Sequence, residues 1–196
     1  MRLDILIAGV GGQGNVLASR ILARAAMEAG LPVRTSEVIG MAQREGVVMS
    51  QVRMGQGDYS ALIPTGQADV LLGLELAETV RAINKVKKGA VVLANTATIQ
   101  PVSVSLGLAT YDTRQLTAFL QERTATLHLF DATALASQAG TFKATNMVLL
   151  GALSALDLLP FSADHLQSVV EKMMPPRLLP INQRAFALGR QAIGGA

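Results

Sequence analysis

Cysteine and tryptophan are absent from the 196-residue chain, and only 4% of its residues are aromatic. Without a thiol there is no disulfide framework, no thiolate nucleophile and no thiolate-held iron–sulfur cluster on this chain. Two histidines, His128 and His165, leave any zinc site dependent on carboxylates for most of its ligands. Charge is scarce too: 16% of residues are charged, and 17 Lys+Arg against 14 Asp+Glu leave a net +3. So small an excess sets up no strong field for nucleic acid or an anionic membrane, although the sequence pI is 9.6. Long hydrophobic runs are missing as well. A run such as Met147–Leu153 falls far short of the ~20 residues that span a bilayer. Met1-Arg2-Leu3-Asp4 puts an acid where the apolar region of a signal peptide would begin. The expectation is a cytoplasmic chain with neither a nucleic-acid nor a membrane partner.

Half of the residues are hydrophobic, which is enough for a packed core and argues against disorder. A lone globule usually carries roughly 25% charged residues. The low charge fraction therefore suggests that another subunit covers part of the surface. No repeat, low-complexity tract or charged linker divides the sequence, so residues 1–196 are expected to form a single domain.

Leu3–Ala8, Ala68–Leu72, Ala90–Ala94 and Leu127–Phe130, with Pro32–Ser36 and the Val-rich Gly46–Met54, read as strands. Between them, Gly14–Ala29 carries the i,i+4 rows Leu17–Ile21–Ala25 and Leu22–Ala26, a helix with Gly30 as its stop. A second helix is expected over Glu75–Lys87, its basic end suited to the helix dipole. Beyond Lys143 the strand signals end, and Thr145–Leu156, Ser162–Met173 and Ile181–Gln191 read as helices separated by prolines. The fold class expected is α/β: a three-layer, Rossmann-like, mostly parallel sheet with a helical C-terminal tail. The connection before the Val-rich third strand is short, which suggests that this strand runs antiparallel.

Gly9-Val10-Gly11-Gly12-Gln13-Gly14 is a G-x-G-x-x-G between strand and helix. In such a loop Gly9 permits the tight turn, Gly11 lets a backbone or phosphate approach, and Gly14 lets helix and strand pack closely. Free N–H groups at the helix start make an anion site; a loop serving packing or subunit contact fits the same residues. Glu37 follows at the distance of a ribose-binding acid. Ser36 to Gly46 packs polar groups between glycines, and Arg44 suits a phosphate or carboxylate, or else a surface contact with Glu45 or Glu37. Asn146 reads as the cap of an apolar helix and Gly151 as a close helix–sheet contact. His128 reads as a core or edge histidine and His165 as solvent-facing. Gly57-Asp58 followed by Asn84 has the spacing of a thiamine-diphosphate motif, but Tyr59 and Lys85 replace its second Gly and second Asn.

Gly9–Gly14 running into Ala18-Ser19-Arg20-Ile21-Leu22-Ala23, Ser36-Glu37 with Gly40-Met41-Ala42-Gln43-Arg44, and Val48–Arg53 resemble the gamma domain of 2-oxoacid:ferredoxin oxidoreductases. Asn146–Leu153 and the terminal Asn182, Ala185-Phe186 and Gly189 continue the likeness over nearly the whole chain. A free-standing chain of this length is most similar to the family's small (beta) subunits of the indolepyruvate type. Ile39 stands where the family usually has His, and Glu45 where a second Gly usually precedes Gly46. The gamma subunits of pyruvate, 2-oxoglutarate and branched-chain enzymes therefore remain open alternatives.

The resemblance implies a subunit of an enzyme that is inactive alone. In the family, a 2-oxoacid is decarboxylated on thiamine diphosphate, electrons leave through iron–sulfur clusters to ferredoxin, and the acyl group passes to coenzyme A. Thiamine diphosphate, Mg and the 4Fe-4S clusters would belong to a large catalytic partner subunit, with coenzyme A as co-substrate and ferredoxin met through the complex. Gly9, Gly11, Gly12, Gln13, Gly14, Ser36, Glu37 and Arg44 are then candidates for a face shared with that partner or with coenzyme A. No catalytic base, nucleophile or metal ligand is assigned to this chain. Two other classes compete: a self-sufficient NAD(P)-binding Rossmann oxidoreductase using the glycine loop and Glu37, and a non-catalytic binding or assembly module.

Overall fold

Arg2–Val10 forms β1, and every residue after Arg2 is buried. Such a run suits a central strand covered on both faces. The computed structural model describes residues 2–40, 46–100, 104, 106–108 and 110–194. After β1 come α1 (Asn15–Glu28), β2 (Val33–Ile39), β3 (Val47–Gly55), β4 (Ala68–Gly73) and α2 (Leu76–Ala82). A one-turn 3-10 helix, Ile83–Lys85, leads into β5 (Val86–Asn95). There follow α3 (Thr113–Arg123), β6 (Thr126–Phe130), α4 (Ala132–Ala139), a second 3-10 turn at Phe142–Ala144, α5 (Thr145–Ser154), α6 (Ala163–Met173) and α7 (Leu179–Gly194).

The sheet order is β2-β3-β1-β4-β5-β6. β1, β4, β5 and β6 are parallel neighbours, while β3 runs antiparallel to both β1 and β2. The mostly parallel sheet, the reversed third strand and the helical tail agree with the sequence reading. One core cluster packs α1, α4, α5, α6 and α7 against one face of the sheet. A smaller cluster packs α2 and α3 against the other face, around Leu6, Leu71 and Val92. Among the described residues, no helix is long and apolar enough to cross a membrane.

α1 stops as expected. Gly30 adopts φ 75°; its N–H reaches Met27 O, and Leu31 N reaches Ala26 O at 2.9 Å. That pair of bonds is a Schellman termination. Four other readings need correction. The helix expected to reach Lys87 ends at Ala82, because Val86 opens β5 in register with Ala68 and Lys87 pairs with Asp69 on β4. Asn146 is not a cap: Ala144 holds that position and Asn146 lies within α5. Gly151 meets a helix and not the sheet, since a Cβ there would lie 2.0 Å from Phe186 O on α7. His165 is half-buried, with Nε2 2.9 Å from Ala25 O, and so ties α6 to the end of α1. His128, on the edge strand β6, sits as read.

Candidate functional site

α1 leads from β1 towards β2, whereas α2 leads from β4 towards β5 on the opposite face. The carboxyl ends of the neighbouring strands β1 and β4 therefore flank a topological switch point, where open α/β sheets form their ligand crevice. A cavity of about 330 Å³ lies there. Gly11, Gly12 and Gln13 line one side and Ala97, Thr98 and Ile99 another; Thr133, Phe142, Lys143 and Thr145 complete it. A larger hollow of about 450 Å³ lies against α7, beside Ser154, Asp157 and Arg190. It is lined by the end of α5, the start of α6 and the end of α7 and by no strand end.

Polar side chains knit the floor of the switch-point cavity. Gln13 folds back on its own loop: Val10 N donates to Gln13 Oε1 at 2.9 Å, and Gln13 Nε2 donates to Leu74 O at 3.1 Å. The buried Asn95 at the end of β5 donates to the same Leu74 O and to Thr133 Oγ1, both at 2.9 Å. Thr133 Oγ1 lies 3.3 Å from Thr145 Oγ1, which donates to Phe142 O at 2.7 Å. The loops from β1, β4, β5 and α4 are thereby fixed to one another before any ligand arrives.

One wall is held by Glu75, which is 1% exposed and caps α2 through Glu78 N at 2.9 Å. Its Oε1 accepts from Tyr111 Oη and, at 3.4 Å, from Ile99 N in the cavity wall. Burial, and then the hydrogen bond to the Glu75 carboxylate, raise the Tyr111 hydroxyl well above the usual phenol range. Burial also raises Glu78, against the opposing pull of Arg81.

The glycine loop does not work quite as its spacing suggests. The positive φ values fall at Gly12 (88°) and Gly14 (85°), not at Gly9, which continues β1 with Gln13, Asn15 and Leu74 pressed against it. Gly14 makes room for α5 and not for a strand: a Cβ there would sit 2.3 Å from Asn146 Nδ2. Gly11 N donates to Gly46 O at 2.9 Å, which joins the glycine loop to the far end of the Ser36–Gly46 block. Arg44, with Met41 to Glu45, lies outside the described residues. The first turn of α1 has no side-chain cap and no acid, so no side chain of that turn competes with an anion for its leading N–H groups.

Ser36 and Glu37 do not join this site. They lie on β2, with β3 interposed before β1, so Glu37 is roughly 10 Å to the side by strand spacing. Its expected place beside a ribose is therefore wrong; in a sheet where β3 separates β2 from β1, the customary spacing from the glycine loop loses its meaning. Asn95, Thr133, Thr145 and Glu75 were missed. The signal available for them was a polar residue closing an apolar parallel strand, as in Leu93-Ala94-Asn95 and Gly73-Leu74-Glu75.

Residues 4–192 match the protein family described as pyruvate ferredoxin/flavodoxin oxidoreductase. The chain belongs to this family. It is 44% identical to indolepyruvate oxidoreductase subunit IorB of Pyrococcus horikoshii over 96% of this chain and 95% of that protein. The subunit of the same name from Archaeoglobus fulgidus is 41% identical, covering 100% of this chain and 98% of the relative. Among solved structures, the gamma subunit of a keto/oxoacid ferredoxin oxidoreductase from Geobacter sulfurreducens superposes with a TM-score of 0.73. That alignment has 25% identity and covers 99% of each chain. Family membership removes the stand-alone dinucleotide dehydrogenase from contention, in keeping with the placement of Glu37.

Proposed function

We propose that this chain, as a single gamma-type domain, is the small subunit of an indolepyruvate ferredoxin oxidoreductase. The complex oxidatively decarboxylates an aryl pyruvate to the acyl-CoA thioester and carbon dioxide, with ferredoxin as electron acceptor. The observation that carries the reading is the 44% identity to a named indolepyruvate oxidoreductase subunit along 95% of that protein's length.

The division of labour follows from this chain's own chemistry. It has no cysteine to hold an iron–sulfur cluster. The thiamine-diphosphate spacing at Gly57-Asp58 and Asn84 is interrupted by Tyr59 and Lys85. Thiamine diphosphate, which supplies the electron sink for decarboxylation, and the 4Fe-4S clusters belong on a large catalytic partner.

The switch-point cavity suits a supporting role towards that partner and towards coenzyme A. Gly11, Gly12 and Gln13 shape its rim and Lys143 adds a cation, while Gly14 and the uncapped start of α1 open on a neighbouring hollow where their N–H groups suit a phosphate.

A substrate panel tests the aryl specificity. The complex, affinity-purified anaerobically from the native host, is assayed for 2-oxoacid-dependent reduction of a viologen in the presence of coenzyme A. Indolepyruvate is expected to give the highest kcat/KM, ahead of pyruvate, 2-oxoglutarate and branched-chain oxoacids. A preference for pyruvate or 2-oxoglutarate would keep the family role and reject the aryl substrate.

A further inference from the structure

The floor of the switch-point cavity is built from side-chain hydrogen bonds that each run in one direction only. Asn95 Oδ1 accepts from Ala97 N at 3.2 Å and from Thr133 N at 3.4 Å, groups that only donate. Its Nδ2 therefore faces the other way and donates to Leu74 O and to Thr133 Oγ1, both at 2.9 Å. Thr145 commits its one hydroxyl hydrogen to Phe142 O at 2.7 Å, because a carbonyl only accepts. The 3.3 Å contact between the two threonine hydroxyls then has a single sense, with Thr133 donating to Thr145.

The result is a one-way chain from Asn95 through Thr133 and Thr145 to Phe142 O. Both threonines line the cavity, and with their hydrogens committed their hydroxyls have only lone pairs left for a ligand. A pyrophosphate carries acceptors alone, so against these hydroxyls it would give up water for no replacement bond. Among the described residues, Gln13 keeps one Nε2 hydrogen after donating to Leu74 O, and it lines the same cavity. Ala97, Ile99 and Phe142 add apolar wall. Acceptors, one donor and apolar surface together suit a group that donates, accepts and carries no charge.

We infer that this floor takes a neutral secondary amide, whose N–H donates to the Thr133 and Thr145 hydroxyl oxygens and whose carbonyl accepts from Gln13. The inference rests on the coenzyme A reading above and divides that molecule between two hollows. Its pantetheine arm, which carries secondary amides among methyl and methylene groups, lies in the switch-point cavity. Its pyrophosphate lies outside this floor, in the neighbouring hollow at the start of α1. Gly12 borders both hollows, and among the described residues a Cβ there would meet nothing within 4 Å, so a ligand passes from one to the other over bare backbone.

The test uses the isotope-labelled full chain, titrated separately with pantetheine, ADP and inorganic phosphate. The NMR signals followed are the Thr133 and Thr145 methyl groups and the Asn95 side-chain amide. Pantetheine should move all three, whereas ADP and phosphate should leave them in place. Thr133→Val should weaken pantetheine binding about fivefold, the loss of one neutral hydrogen bond, and Thr133→Ser should restore it. Movement of the threonine signals by ADP or phosphate overturns the inference. So does a pantetheine titration that leaves them unmoved, or a Thr133→Val chain that binds pantetheine as wild type does. Failure of the coenzyme A reading shows elsewhere: the purified complex would then reduce viologen at a rate indifferent to coenzyme A, whatever amide the chain binds.

Discussion

Asn146 Nδ2 donates to Gly14 O at 3.2 Å, across 132 residues of sequence. Gly14 ends the glycine loop and starts α1, whereas Asn146 lies in the first turn of α5. The bond clamps the loop to the helix behind it, and the missing Cβ at Gly14 makes the approach possible. A residue that looks like a helix cap is thus a strut for the candidate site.

Gly14→Ala should destabilise the fold by about 2 kcal/mol or more, combining left-handed backbone strain with a clash against Asn146. Asn146→Ala should cost about 1 kcal/mol. The double variant should lose less than the sum, because removing the amide relieves the clash. Urea unfolding midpoints of the four proteins close this double-mutant cycle, and strict additivity would deny the contact.

α5 and α7 cross at two glycines. A Cβ at Gly151 would lie 2.0 Å from Phe186 O, and one at Gly189 would lie 1.9 Å from Val148 O. Both oxygens belong to helix backbone, which cannot yield without separating the helices. Gly151→Ala and Gly189→Ala should each cost about 3 kcal/mol, read as a fall in thermal midpoint, whereas the same change at the open Gly12 creates no contact clash.

The contrast between those helices and α3 or α4 explains how far the sequence could be read. Apart from the polar, β-branched β2, the strands announce themselves as apolar or Val-rich runs, and α1, α5, α6 and α7 carry strong apolar faces. α3 buries only Leu120. α4 buries Ala132, Ala136 and Ala139, alanines that do not stand out from their Thr and Ser neighbours. Of the site, the glycine loop was legible because its chemistry is contiguous. Asn95, Thr133 and Thr145 meet only once the parallel strands are ordered, and Glu37 was misplaced because β3 inserts between β2 and β1.

Tyr111→Phe should loosen the cavity wall. It removes the hydroxyl that donates to Glu75 and accepts from Ala77 N at 3.2 Å. A buried carboxylate deprived of this donor should cost about 1.5–3 kcal/mol. Amide exchange at Thr98 and Ile99 should quicken, while exchange in β1 stays slow; uniform acceleration would show a global effect instead.

Gly11→Val separates function from folding. Among the described residues a Cβ there meets nothing nearer than Gly46 O at 3.8 Å, so the side chain extends into the cavity without disturbing the core. The unfolding midpoint should stay within about 0.5 kcal/mol of wild type, while turnover of the complex or its saturation by coenzyme A falls. Unaltered turnover in an assembled complex would remove the loop from the function.

Glu28 at the end of α1 binds Lys172 on α6 and Arg24 on its own helix, both at 2.8 Å. These hydrogen bonds, Lys172 first, lower its pKa from 4.5 to about 2. The tether is fully present above pH 4.5 and is lost as pH falls towards about 2. Its surface position keeps the effect small. Glu28→Gln should flatten the stability profile across that acidic window and leave its neutral limb unchanged in slope, as read from urea midpoints.

The most direct measurement is an anaerobic affinity isolation of the tagged chain from its native host, with bound protein, iron, thiamine and indolepyruvate-dependent viologen reduction determined on one eluate. The expected result is a brown eluate in which a large cysteine-rich partner accompanies the chain and the activity requires both. A colourless chain recovered alone, without thiamine or activity, would contradict the assignment of this protein as the small subunit of such an enzyme.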